Sequence, residues 1–218
     1  LGRIRGYDSM MIGETLFISG LAMFMTAPLA GALSARLDLR YMLLVGFLIF
    51  AGGTFMSSQI TADWSFDELL WPQIFRGVGM MLCMVSINNL ALGTLPLDRL
   101  KNAAGLYNLM RNLGGAVGLA LINTTLNERG DLHFARLRES VTWSRDVAVE
   151  TLAEMTARFA QRGGDAELIA LKRMTEMVRR EALVMSFADV FLMLTVLIAS
   201  LILLLFLNVV FWSGFEQA

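Results

Sequence analysis

Five stretches of this chain are long and apolar enough to cross a bilayer, and this limits the fold before any single residue is considered. They run at about Met10–Leu33, Tyr41–Ile60, Trp71–Leu95, Ala103–Leu126 and Phe187–Phe211. A helix rising about 1.5 Å per residue needs roughly 20 residues to traverse a hydrocarbon layer about 30 Å thick. Unbroken runs of that length therefore read as transmembrane helices, which makes the chain an all-α polytopic membrane protein. Composition agrees, with 56% hydrophobic and 17% charged residues, against about 25% charged in soluble domains. More than half of the charged residues fall between Glu128 and Glu181, so the rest is still more membrane-like. A net charge of −1 provides no basic field for nucleic acid.

The fourth stretch is the unusual one. In AAGLYNLMRNLGGAVGLALINTTL, Arg111 lies roughly 12 Å in from Ala103. A charge at such depth costs about 2.5–3.5 kcal/mol on insertion scales, so such residues usually face a protein interior or a wet cavity. Helical spacing aligns Ala104, Asn108, Arg111, Gly115 and Gly118, with Tyr107 and Gly114 at the edge of the stripe and Asn112 alongside. Two readings stay open. Arg111 either snorkels to headgroups, or lines a path through the membrane with Tyr107, Asn108 and Asn112 around it. Gly114, Gly115 and Gly118 would let another helix approach closely.

The third stretch is the second polar one, with Gln73, Arg76, Asn88 and Asn89 beside the packing glycines Gly77 and Gly79. Pro72 is expected in its first turn, where a missing N–H costs nothing. Pro28 and the packing glycine Gly31 lie near the far end of the first stretch. Glu14, Arg76 and Asp189 each sit near one end of their spans, and all three ends fall on one side of the membrane. Two readings stay open: Arg76 pairs with one of the two carboxylates, or each charge snorkels independently. One cysteine and one histidine allow no internal disulfide and disfavour a Cys/His metal site. No cofactor motif and no paired intramembrane carboxylates are present, so a membrane enzyme has little to work with. Cys83 reads as a packing residue.

Residues 127–185 form a helical extramembrane segment. Ala148, Leu152, Met155 and Phe159 recur at helical spacing, and Gly163-Gly164 should end that helix. Asp165 is a plausible cap for a second helix with Leu168, Leu171, Met174 and Val178 on one face. Five spans put residues 1–126, with the first four, ahead of this segment, and residues 186–218, with the last span and a short tail, after it. The short loops with Arg36, Arg40, Arg99 and Lys101 share one side, which the positive-inside rule assigns to the cytoplasm. The opening LGRIRGYD reads as a cut within a longer polypeptide.

Together these residues carry a family resemblance. Leu95-Pro96, Arg99, Ala103 to Asn108, Arg111 to Gly115 and Gly118 resemble the penultimate helix of fourteen-span drug:proton antiporters, the EmrB/QacA type of the major facilitator superfamily. Trp71-Pro72-Gln73, Gly77 and Gly79 resemble the helix before it. Asn127-Glu128-Arg129, Leu132-His133, Leu137 and Glu139 to Thr142 are similar to the start of the large outer loop in EmrB-like members. The loop at Gly31–Arg40 sits where the superfamily repeats a Gly-x-Leu-x-Asp-Arg-x-Gly-Arg-Arg signature. Gly31, Leu33, Arg36 and Arg40 fit, but Ala35 replaces the aspartate and Asp38 the second glycine. The charge relay ascribed to that loop lacks its carboxylate here.

The resemblance implies five helices of the C-terminal bundle of an efflux transporter in the bacterial inner membrane, with residues 127–185 periplasmic. The implied cargo is amphipathic drug-like molecules exchanged for protons, with the N-terminal half of the same polypeptide completing the machine. It also implies a periplasmic adaptor leading to an outer-membrane channel, for which Leu152, Met155 and Phe159 are the candidate contact face. A membrane-anchored interaction module acting through residues 127–185 is the alternative.

Overall fold

The computed structural model describes residues 8–61, 64, 66–93, 95–141, 146–160 and 165–215, with side chains from 209 onward and at 94, 97 and 98 left out. All regular structure among them is helical. The helices are α1 (Ser9–Ser34), α2 (Leu39–Ser58), α3 (Phe66–Leu92), α4 (Leu97–Ser140), α5 (Asp146–Ala160) and α6 (Ala166–Phe215).

Local chemistry accounts for the helix starts. The Asp8 carboxylate accepts a hydrogen bond from the Met11 amide at 2.9 Å. Asp38 does the same for Arg40 at 2.9 Å, so the residue that departs from the signature glycine serves as the N-cap of α2. Asp67 and Glu68 fall in the first turn of α3, where the helix dipole favours negative charge. Consequently α3 begins before Trp71, and Pro72 lies inside the helix rather than in its first turn. Several hydroxyls on the apolar helices are satisfied locally, although the buried Ser86 Oγ has no hydrogen-bond partner among the described residues. Thr15, Thr26, Ser57 and Ser186 each donate to the carbonyl four residues back, as groups facing lipid or core must.

Helix α3 is the centre of the membrane part, packed against both α1 and α2. Ala30, Met42 and Leu82 form the buried cluster where these three helices meet. Close approach of α2 and α3 rests on small residues. A Cβ added at Gly79 would lie 2.6 Å from the Phe50 amide nitrogen, and one at Gly46 would lie 2.9 Å from the Cys83 Sγ. On the α1 side, a Cβ at Gly77 would lie 2.6 Å from the Ser19 carbonyl oxygen. Cys83 is a buried free thiol wedged into this seam.

Helix α6 packs on α2 below and on α4 and α5 above. It runs unbroken from the extramembrane segment into the last apolar stretch. The second amphipathic helix expected after Asp165 and the span expected from Phe187 are therefore one helix. Helix α4 likewise continues past Leu126 to Ser140. At about 1.5 Å per residue, α4 and α6 are roughly 66 and 75 Å long, far beyond one bilayer. Helix α5 lies against α6 and completes a three-helix projection, with Leu152 buried. The inward face of α6 keeps only part of the expected one, Met174 and Val178, which are half-buried. Leu168 is 65% exposed, Leu171 is exposed as well, and Ala170 and Ala182 face inward instead. Gly163 and Gly164 lie outside the described residues.

Four described helices are long and apolar enough to cross a membrane: Ser9–Ser34, Leu39–Ser58, Phe66–Leu92 and Ala166–Asn208. The stretch 103–126 is helical throughout but is not one of these four. Asn108, Arg111 and Asn112 offset its apolar residues.

Candidate functional site

The polar stripe of α4 is built as the helical spacing requires, yet it stands apart from the other helices. Asn108, Arg111 and Asn112 are exposed and Tyr107 is half-buried. Among the described residues no hydrogen bond or ion pair reaches Arg111, Asn108 or Asn112. A Cβ added at Gly114, Gly115 or Gly118 would meet nothing within 4 Å, and the same holds at Gly31. These four glycines therefore do not mediate close helix packing within this chain, in contrast to Gly77 and Gly79. Around the stripe, Leu106, Leu109, Met110, Leu113 and Val117 are all more than half exposed. Asn88 and Asn89 are half-buried on α3. The Asn89 carbonyl accepts from the Gly93 amide at 2.9 Å, and no described contact joins the pair to the α4 stripe.

The three end-of-span charges separate into different environments. Glu14 is exposed on α1. Arg76 contacts neither Glu14 nor Asp189. Its guanidinium lies over the Phe191 ring, 5.4 Å from the centroid, a geometry worth about 2 kcal/mol when desolvated. Its stem fills the notch left by Gly53, where a Cβ would come within 2.8 Å of Cγ. The Arg76 Nε is buried without a hydrogen-bond partner. One turn along α6, the Thr195 hydroxyl donates to the Thr54 hydroxyl at 3.0 Å. Helices α2, α3 and α6 thus meet around the half-buried Arg76.

Asp189 has two other partners, both from α4. His133 Nε2 is 2.8 Å from its Oδ2, and the Arg129 guanidinium approaches the same oxygen at 3.7 Å. Sequence reasoning gave neither residue this role. Their i, i+4 spacing places both on one face of α4, which is the available signal. Among the described residues there is no group of His, Cys, Asp and Glu able to hold a metal ion.

The Major Facilitator Superfamily model matches residues 1–119. The chain is 36% identical over 197 residues to the colistin resistance protein EmrB of Acinetobacter baumannii, covering 90% of this chain and 38% of that protein. It is 28% identical over 158 residues to the fatty acid resistance protein FarB of Neisseria gonorrhoeae, covering 72% of this chain and 30% of the relative. Against the multidrug export protein EmrB of Escherichia coli K12 it is 26% identical over 142 residues, covering 65% and 28%. The chain thus spans less than two-fifths of the length of these curated relatives. A multi-pass helical chain, matched by the family model over more than half its length, belongs to the Major Facilitator Superfamily.

Proposed function

We propose that this chain is the C-terminal part of a proton-coupled exporter of amphipathic organic compounds, working by alternating access across the bacterial inner membrane. The observation that carries the reading is the α4 stripe. A guanidinium and two amides on a mostly apolar stretch, exposed and without side-chain partners among the described residues, are costly against lipid. They suit a face that closes on a second helical bundle and a wet central path. The relatives' names refer to resistance to colistin, fatty acids and multiple drugs, which agrees with amphipathic cargo. In this reading Arg111, Asn108, Tyr107 and Asn112 line the path on α4, with Asn88 and Asn89 on α3. The N-terminal half of the polypeptide supplies the facing wall and the proton-coupling carboxylates. The three-helix projection is periplasmic and would meet an adaptor.

The test is transport by the complete polypeptide in proteoliposomes under an imposed pH gradient. Accumulation of an amphipathic dye that collapses with the gradient supports the reading. Deleting residues 128–181 should leave part of that transport. If the deletion abolishes partner binding and the intact protein never moves dye, the chain is an interaction module instead.

A further inference from the structure

The sign of the charge along the α4 stripe carries more than the presence of a path. Across the five apolar stretches, 10–33, 41–60, 71–95, 103–126 and 187–211, the only acidic residues are Glu14 and Asp189. Both lie in the half of the membrane part nearer the projection, and Asp189 is already shared by His133 and Arg129. Arg111 lies in the other half, roughly 12 Å past Ala103 and about 22 Å short of Leu126. No hydrogen bond or ion pair reaches it among the described residues.

A guanidinium keeps its charge and offers a planar fork of donors that matches the two oxygens of a carboxylate. Asn108, one turn before it, and Asn112, the next residue, add amide donors, and all three side chains are exposed. Leu106, Met110 and Leu113, each more than half exposed, set apolar surface beside this polar group. An amphiphile with a negative head is complementary to such a surface. A positive head brought to the same place meets a fixed like charge, and like charges forced together disfavour a complex. We propose that this path selects amphiphiles with an anionic head, a carboxylate or sulfonate held by Arg111 between Asn108 and Asn112, over cationic ones of equal apolar bulk. The inference rests on the transport reading of the stripe, and equilibrium binding tests it without a gradient.

The complete protein in neutral detergent is titrated with a dansyl-labelled fatty acid and with a dansyl-labelled alkyl trimethylammonium of equal chain length. The wild type should bind the fatty acid roughly tenfold tighter. Arg111→Gln should bring the two affinities within about twofold of each other. Arg111→Lys should keep the order with a smaller gap, because a point charge attracts the head without matching its two oxygens. Selective binding that Arg111→Gln removes supports the inference even where no dye accumulates in proteoliposomes, a result that sinks the transport reading alone. Gradient-driven accumulation with no preference between the two dyes overturns the inference and leaves transport standing. A preference that survives Arg111→Gln also overturns it. Should that variant not fold, Arg111→Lys decides, and an undiminished preference overturns the proposal.

Discussion

His133 Nε2 and Asp189 Oδ2 lie 2.8 Å apart, and this contact joins α4 to α6 at the point where both helices enter their apolar stretches. The imidazole is buried, with the residue 8% exposed, while the carboxylate is partly open and shared with Arg129. Removing one partner leaves a buried polar group unsatisfied. Asp189→Ala should therefore cost about 1–3 kcal/mol of stability. His133→Leu combined with Asp189→Leu should cost less than the sum of the single changes. Thermal unfolding of the purified variants measures this, and strictly additive losses would mean the two residues act separately.

The glycines divide sharply by position. Gly79→Ala drives a methyl into the backbone of Phe50, with atoms at 2.6 and 2.8 Å that cannot move aside without parting α2 from α3. Loss of folded protein is expected, seen as aggregation in size-exclusion chromatography. Gly31→Ala meets open space and should elute as the wild type. At Gly114 and Gly115, where an added Cβ meets nothing within 4 Å, substitution by leucine should leave the protein folded but impair transport if, as proposed, a second helical bundle closes on this face.

For Arg111, the expectation is loss of most transport in Arg111→Ala with normal membrane insertion. Arg111→Lys should restore only part, since a point charge does not replace a planar fork of donors. Drug resistance at matched membrane expression is the measurement. Wild-type resistance from the alanine variant would return Arg111 to a snorkelling role.

The adaptor face needs revision. Leu152 is buried at 8% exposure and Met155 and Phe159 are half-buried, so this side of α5 is occupied by its own protein. Leu152→Asp should destabilise the projection. A partner is left the outward side, where Val147, Glu150 and Glu154 are exposed. Val147→Arg should weaken adaptor cross-linking and spare the fold, and limited proteolysis separates the two outcomes.

Sidedness is read from the basic short loops at Arg36, Arg40, Arg99 and Lys101 and is open to test. In a Cys83→Ala background, Glu154→Cys should react with an impermeant thiol reagent in intact cells whose outer membrane has been made permeable. Lys101→Cys should stay protected until the inner membrane is opened. The reverse pattern inverts the topology.

The apolar stretches at 10–33 and 41–60 fall on α1 (Ser9–Ser34) and α2 (Leu39–Ser58). Their bounds follow from local chemistry, namely Asp8 and Asp38 as caps. Pro72 was misplaced because Asp67 and Glu68 read equally well as loop acids and as first-turn residues. The continuity of α6 was also available in principle, since no glycine or proline interrupts Asp165–Ser213. The change from amphipathic to uniformly apolar pattern suggested a break that the backbone does not make. Arg76 and Asp189 could not be paired correctly from sequence at all. Their partners, Phe191 and His133, depend on the register between helices far apart in the chain, which composition and periodicity do not encode.

The unbroken passage of α4 and α6 from the projection into the membrane has a mechanical consequence. A helix without a hinge transmits tilt and twist along its length, and here two such shafts are pinned together by the His133–Asp189 contact and braced by α5. If the membrane bundle rocks as the proposed alternating access requires, the outer tip swings through an arc enlarged by its height. Anything that grips the tip takes hold of a lever, and can brake or drive the opening below without touching the path itself.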